Sequence, residues 1–265
     1  MKDHVYRVMA ATIGPLLARQ RSLRILMYHN CPVRPVNAGD VPADLFRLHM
    51  AYLAGQGYRS CRLCDVLAQW PQIVEGPPTV AIAFDDGWAT HRDIVLPVLQ
   101  EHGFLGTFFI ATDFVGSQRV RPSYGPMAQY DAEVCCWDDL EALVSAGMEI
   151  GAHTHTHRRL SQIAPQEMEN EVASPRRILA SRLGCPVVSM AYPHGDRRSF
   201  SDQVVQAVAQ AGYQVACTSI WGCPTAQSDL LRLPRIDING LDDPARFTRK
   251  MKGHYDFIRW IRWWR

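Results

Sequence analysis

Nowhere in the sequence do eighteen apolar residues run together, so no transmembrane helix is encoded. Internal repeats, low-complexity tracts and linker-like stretches are also missing, which excludes solenoids and strings of small domains. Net charge is close to absent. The 28 Lys and Arg against 26 Asp and Glu leave a formal +2, too little to make nucleic acid the expected partner. A cleavable leader is not evident either. The apolar stretch from Val8 to Ala18 is interrupted by Gly14-Pro15, runs into Arg19, Arg21 and Arg24, and has no small-x-small site. Residues 1–22 therefore read as an amphipathic surface segment. Cys61-Arg62-Leu63-Cys64 has no second pair at zinc-finger spacing and reads as two small residues opening a helix. A chain this long needs no disulfide staples, so the 8 cysteines are expected to be reduced thiols of a cytoplasmic protein.

What is present is enough apolar material for one large domain: 47% of 265 residues, with 20% charged. It is arranged as alternating strands and helices. Leu23 to Tyr28 is a short apolar run, and Pro42 then opens a helix that places Phe46, Met50 and Leu53 on one face before Gly55 and Gly57 end it. Thr79 to Phe84 is rich in strand formers and free of charge, as a strand buried on both faces must be. Ile94 to Leu99 reads as a helix distorted at Pro97. Thr107 to Ala111 and Met148 to Gly151 read as strands, with a helix from Trp137 to Ala146 between them. Pro165 begins a helix running towards Leu183 with a break at Pro175. Val187 to Tyr192, Tyr213 to Thr218 and Arg235 to Ile238 complete the strands. Such βα alternation implies a parallel sheet, either closed into a barrel or open and doubly wound.

Three motifs fall at the ends of these strands, where parallel α/β folds place their chemistry. Phe84-Asp85-Asp86-Gly87 sets two carboxylates after an apolar strand, with Gly87 permitting a sharp turn. Gly151-Ala152-His153-Thr154-His155-Thr156-His157 holds histidines four apart. A helical turn would bring His153 and His157 to one side for a divalent metal, and strand alternation would align them together with His155. Ala191-Tyr192-Pro193-His194-Gly195 forms a loop in which the backbone N–H of His194 could face a developing oxyanion.

In this order and spacing the three motifs resemble those of the polysaccharide deacetylases, also called the NodB-homology domain, from about Leu23 to Gly253. The resemblance implies an irregular (β/α) barrel of about seven parallel strands over residues 23–253, followed by a basic aromatic tail over 254–265. It implies Asp85 as catalytic base and Asp86, His153 and His157 as ligands of one divalent metal. Zinc is the first choice for two histidines and a carboxylate. Two departures stand out. The family's third-motif arginine, which orients the base, is replaced by Ala191, and Arg235 is the available substitute. The family's late Leu-x-His motif is missing, whereas Ile25-Leu26-Met27-Tyr28-His29 occupies the first strand. This looks like the circularly permuted subset, in which His29 would be the general acid.

The implied reaction is removal of an N-acyl group from an amino sugar of a bacterial surface polysaccharide or of its precursor. Without an export signal, the expected substrate is a lipid- or nucleotide-linked glycan at the inner face of the membrane. The arginines and tryptophans of the C-terminal tail would hold the enzyme peripherally there. A carbohydrate-binding relic of the same fold would not need both Asp85 and Asp86 with both histidines. A two-metal barrel hydrolase would need further ligands, for which only Asp113 and Asp237 are placed.

Overall fold

The computed structural model describes residues 2–18, 22–117 and 133–261. Eight parallel strands are present: β1 (Leu23–Tyr28), β2 (Arg59–Cys61), β3 (Thr79–Phe84), β4 (Thr107–Ile110), β5 (Glu149–Ala152), β6 (Ser189–Ala191), β7 (Val215–Trp221) and β8 (Leu233–Asp237). They follow one another in space from β3 through to β8. β8 then pairs with β1 (Leu26 with Ile236, Met27 with Asp237), and β1 pairs along its whole length with β3. Seven strands thus close a barrel. β2 is an eighth, beside the first half of β3, and β4 takes the second half of that edge.

Strand alternation divides the side chains into two shells. On β3, Val80, Ile82 and Phe84 face the helical layer, whereas Ala81 and Ala83 face the lumen with Ile25, Phe109, Ala191, Cys217 and Leu233. The lumen residues are mostly small because seven strands leave a narrow interior. Gly151 shows the limit, since a Cβ there would lie 2.6 Å from the Phe109 ring. At the lower end Glu149 closes the lumen, accepting hydrogen bonds from Thr107 Oγ1 (2.8 Å), Ser189 Oγ (2.7 Å) and the Cys64 N–H (3.0 Å). A buried carboxylate so satisfied is a stable plug.

The helices confirm most of the patterning and depart from it at prolines. Ala43–Gly55 buries Phe46, Met50 and Leu53 as the periodicity requires. The helix expected to run from Pro165 to Leu183 is in three pieces: a 3₁₀ turn (Pro165–Glu167), a π-turn (Glu169–Ala173) and an α-helix (Ser174–Leu183). A second π-turn, His91–Val95, precedes Pro97. In both places proline cannot donate to the carbonyl four residues back, and its ring pushes that carbonyl away, so the turn before it widens. At the amino end, Lys2–Thr12 and Gly14–Leu17 are helical and leave Leu16 and Leu17 exposed. Near the other end Tyr255, Phe257 and Ile258 are buried in the core, whereas Arg262, Trp263, Trp264 and Arg265 lie outside the described residues. No described helix is long and apolar enough to cross a membrane. All 8 cysteines are free.

Candidate active site

The alternation that fills the lumen also decides what stands at its mouth. Extending the lumen-facing register by one step beyond Ala83, Gly151 and Met27 gives Asp85, His153 and His29. On β8 the same register runs Leu233, Arg235, Asp237. Asp85, Asp86, His153, His157, His194, His29 and Arg235 all line one cavity of about 500 Å³.

Asp86 and His157 are out of phase with that register and need a different device. Asp86 has φ 83° and His157 φ 58°, both in the left-handed region, as are Thr154 (66°) and His194 (59°). These four are the described non-glycine residues with positive φ, and all belong to the three motif loops. Each such conformation costs about 1–3 kcal/mol and persists only where the surroundings enforce it. The left-handed turn lets Asp86 line the same cavity as Asp85, with Gly87 (φ 80°) continuing the turn. The loop 153–157 is therefore neither a helical turn nor a strand. A hydrogen bond from the His157 N–H to Thr154 Oγ1 (3.0 Å) closes it. His155 is turned away, with Nδ1 2.8 Å from Thr112 Oγ1.

Asp86 Oδ1 lies 3.4 Å from His153 Nε2 and 3.6 Å from His157 Nε2, and all three side chains are buried. One donor atom from each can be chosen so that all lie within 4.8 Å of one another, and no other group of potential ligands among the described residues does this. His153 Nδ1 is 2.8 Å from the Ala191 carbonyl, which can only accept, so Nδ1 carries a proton and Nε2 faces Asp86, donating to it while the ring is protonated and offering a lone pair to an ion once that proton is lost. Trp88, which sequence reasoning passed over, donates from Nε1 to Asp86 Oδ2 (3.2 Å) and fixes the carboxylate from its other side. A carboxylate oxygen and two imidazole nitrogens converging in this way fit a single divalent first-row ion.

Asp85 is held differently. The guanidinium of Arg235 meets it fork to fork, Nη1 to Oδ1 at 2.7 Å and Nη2 to Oδ2 at 2.8 Å, while Nε donates to the Thr218 carbonyl (2.7 Å). Arg235 is 1% exposed, which rules out a surface arginine. The clamp on Asp85 thus comes from β8, while Ala191 ends β6. Burial pushes the Asp85 carboxyl up, but the charges on Arg235 and His153 outweigh it and hold Asp85 below the usual carboxylate range. Asp86 is likewise lowered, burial being overcome by the hydrogen bond from His153 and the neighbouring histidines. Burial, with repulsion from His153 next, lowers His157 to about 3 and keeps it neutral.

His29 follows β1 and is half-buried. Its carbonyl accepts from His91 Nε2 (3.0 Å), which anchors the backbone and leaves the ring free to face the cavity. His194 caps the opposite wall, its ring 5.1 Å from that of His157 and its carbonyl accepting from Ser219 Oγ (2.6 Å). Asp113 is not among the cavity's lining residues, whereas Asp237 is.

Comparison with known proteins points to one family. A sequence model described as polysaccharide deacetylase fits residues 73–216, over half of the chain. The Bacillus subtilis protein YxkH is 23% identical over 218 residues, covering 82% of this chain and 71% of that one. A chitooligosaccharide deacetylase of Sinorhizobium fredii is 30% identical over 149 residues, 56% of this chain and 60% of its own length. Among solved structures, the Streptococcus pyogenes deacetylase PplD in complex with acetate superposes with a TM-score of 0.75 at 22% identity, over 88% of this chain and 98% of that one. The chain belongs to the polysaccharide deacetylase family, whose members are carbohydrate N-deacetylases.

Proposed function

We propose that the protein is a metal-dependent N-deacetylase acting on an N-acetylated amino sugar of a bacterial surface polysaccharide, or on its lipid- or nucleotide-linked precursor. The observation that carries this reading is the pairing, in one cavity, of an Arg235-clamped carboxylate with a separate carboxylate–histidine–histidine cluster. Binding a sugar needs neither, whereas metal-assisted hydrolysis of an amide uses both.

Asp86, His153 and His157 would hold the ion, zinc by preference, which supplies a Lewis acid for the amide carbonyl and acidifies water. Asp85 is the base. Arg235 keeps it ionised and fixes both its oxygens, so it takes the proton as water adds to the acyl carbon. The His194 N–H, presented by a left-handed residue at the cavity wall, donates to the oxygen that gains charge. His29 then gives a proton to the nitrogen as the C–N bond breaks, because an amide nitrogen leaves only when protonated. Acetate and a free amine result.

The location proposed is the cytoplasmic face of the inner membrane, with peripheral attachment. Leu16 is 83% exposed and Leu17 55% on the second N-terminal helix, while Val5 and Val8 on the first and Ile13 between the two are exposed as well. The burial of Tyr255, Phe257 and Ile258 makes truncation after Gly253 a poor test, because it would strip the core. Leu16→Glu with Leu17→Glu is the better variant, and it should float less with anionic liposomes.

The reaction is tested by measuring free amine after incubation with a panel of N-acetylated and N-formylated amino sugars. Wild type should release amine from at least one of them, and Asp85→Asn should release almost none. No release from any member of the panel would overturn the reading.

A further inference from the structure

No step of the reaction uses the polar wall on the β1–β8 side of the catalytic cavity. Asn30 follows His29 and lines that cavity, although it is only 3% exposed. The Thr90 hydroxyl accepts from the Cys31 N–H (3.4 Å) and gives its own proton to Asn30 Oδ1 (2.7 Å). This settles which end of the amide is which. Asn30 Nδ2 is left with no hydrogen-bond partner among the described residues, and it is not sealed away. Asp237 stands one lumen-facing step above Arg235 and is in register with Met27 on β1. Asn239 Nδ2 donates to its Oδ2 (3.0 Å), and the Asn239 oxygen in turn accepts from the Leu241 N–H (3.1 Å). Oδ1 of Asp237 has no partner among the described residues, and Asp237 also lines the cavity. The loops behind this wall are stitched together. The Val41 N–H bonds the Asn30 carbonyl (3.0 Å), the Gly240 N–H bonds the Ala38 carbonyl (3.1 Å), and a Cβ at Gly240 would collide with the Asp40 carbonyl oxygen.

We propose that Asn30 Nδ2 and Asp237 Oδ1 bind hydroxyl groups of the amino sugar and so set which sugar the site accepts; the proposal rests on the N-deacetylase reading. An unmet donor in a nearly closed wall is destabilising until an acceptor reaches it, and an oxygen of the cavity's occupant is placed to do so. A hydroxyl both accepts and donates, so it answers the amide and the carboxylate alike. A phosphate would be repelled by Asp237, and the Arg235 guanidinium that could offset this is taken by Asp85. An apolar group would leave both atoms unpaired. Asn30 is the chain neighbour of His29, whose proton goes to the amide nitrogen. In a 2-amino sugar, oxygen-bearing carbons stand on either side of the carbon that holds this nitrogen. The cavity, about 500 Å³, lies within the usual range for a ligand of this size.

Amine release from N-acetylglucosamine, N-acetylgalactosamine and N-acetylmannosamine is measured for full-length wild type, Asn30→Ala and Asp237→Ala. The fastest of the three sugars is then supplied in its 1-deoxy, 3-deoxy, 4-deoxy and 6-deoxy forms. Each variant should lose about tenfold in kcat/KM on the parent sugar, as expected for one lost hydrogen bond. Wild type should lose about as much on a deoxy form, and each variant should lose nothing further on the form that lacks its own hydroxyl. A residue that only supports the fold would lower parent and deoxy sugars alike. Circular dichroism and metal content should stay at wild-type values, since neither side chain belongs to the Asp86, His153 and His157 cluster. Losses equal on the parent and on every deoxy form, or an unchanged kcat/KM on the parent, overturn the assignment of that residue and leave the deacetylase reading standing. No amine from any parent sugar in wild type, with metal bound, overturns the reading on which the proposal rests.

Discussion

The two halves of the site are built in different ways. Asp86, His153 and His157 come from loops after β3 and β5, inside the segment that matches the family, and the backbones of Asp86, Thr154 and His157 are bent into the left-handed region so that the three side chains converge. His29, just after β1, and Arg235, on β8, lie outside that segment and need no left-handed backbone; they line the same cavity because β1 pairs with β8 to close the barrel. One half spends local strain on a short-range motif. The other needs no local strain but depends on contacts more than two hundred residues apart. The family match therefore spans the first half, whereas the second half is brought to the cavity by closure of the barrel.

The largest effect that would sharpen this contrast is at Arg235. Replacing either member of a buried ion pair strands the other charge, at a cost of about 3–5 kcal/mol. Arg235→Met and Asp85→Asn should each lower stability by that order in denaturant titration, and each should lose at least about a hundredfold in rate. The double variant should recover most of the stability and none of the activity. Additive losses in stability would break the account of Arg235 as the partner of Asp85. Arg235→Lys should fail to rescue turnover, because an ammonium cannot span both carboxylate oxygens.

His29→Ala comes next, with roughly a hundredfold loss of kcat and little change in stability, since the ring is only half-buried and lines the cavity. Unaltered turnover would move the proton donor elsewhere and leave the β1 half without a catalytic role.

Acid should weaken the β1 half through its supports. His49 and His91 are both lowered to about 4 by burial, and they bond Tyr28 Oη (3.1 Å) and the His29 carbonyl (3.0 Å). A histidine whose folded pKa lies below its unfolded 6.5 favours the folded state fully above pH 6.5. That contribution is lost as pH falls from 6.5 towards 4, because the unfolded chain takes the proton first. Between pH 7 and 5 each should cost roughly 2 kcal/mol. In His49→Gln the pH dependence over that interval should shrink, and an unchanged slope would contradict the assignment.

The smallest effect is expected at His155. It is turned towards Thr112, so His155→Ala should keep metal and rate, whereas His157→Ala should lose both. The opposite result would put the histidine motif in the wrong register.

Much of this was legible beforehand, for reasons that differ by residue. Thr79 to Phe84 could be read because a strand buried on both faces must be continuously apolar. Arg235 could be read only halfway: an arginine within an apolar strand, with Ala191 where an arginine was due, signals a transferred role, but the fork to Asp85 depends on barrel closure. β2 was missed because three residues graded from exposed to buried give no periodicity. The shape of the 153–157 loop was missed because nothing in Thr154 or His157 announces a left-handed backbone, as a glycine would. Trp88 carried no signal beyond its place two residues after Asp86.

The central claim is that Asp86, His153 and His157 jointly hold an ion that the reaction requires. Elemental analysis of the purified full chain tests it most directly, under conditions that retain weakly bound metal. Wild type should carry about one divalent ion per chain, and Asp86→Ala, His153→Ala and His157→Ala almost none, with His155→Ala as the intact control. A metal-free wild type, or equal metal in wild type and the three variants, would contradict the account.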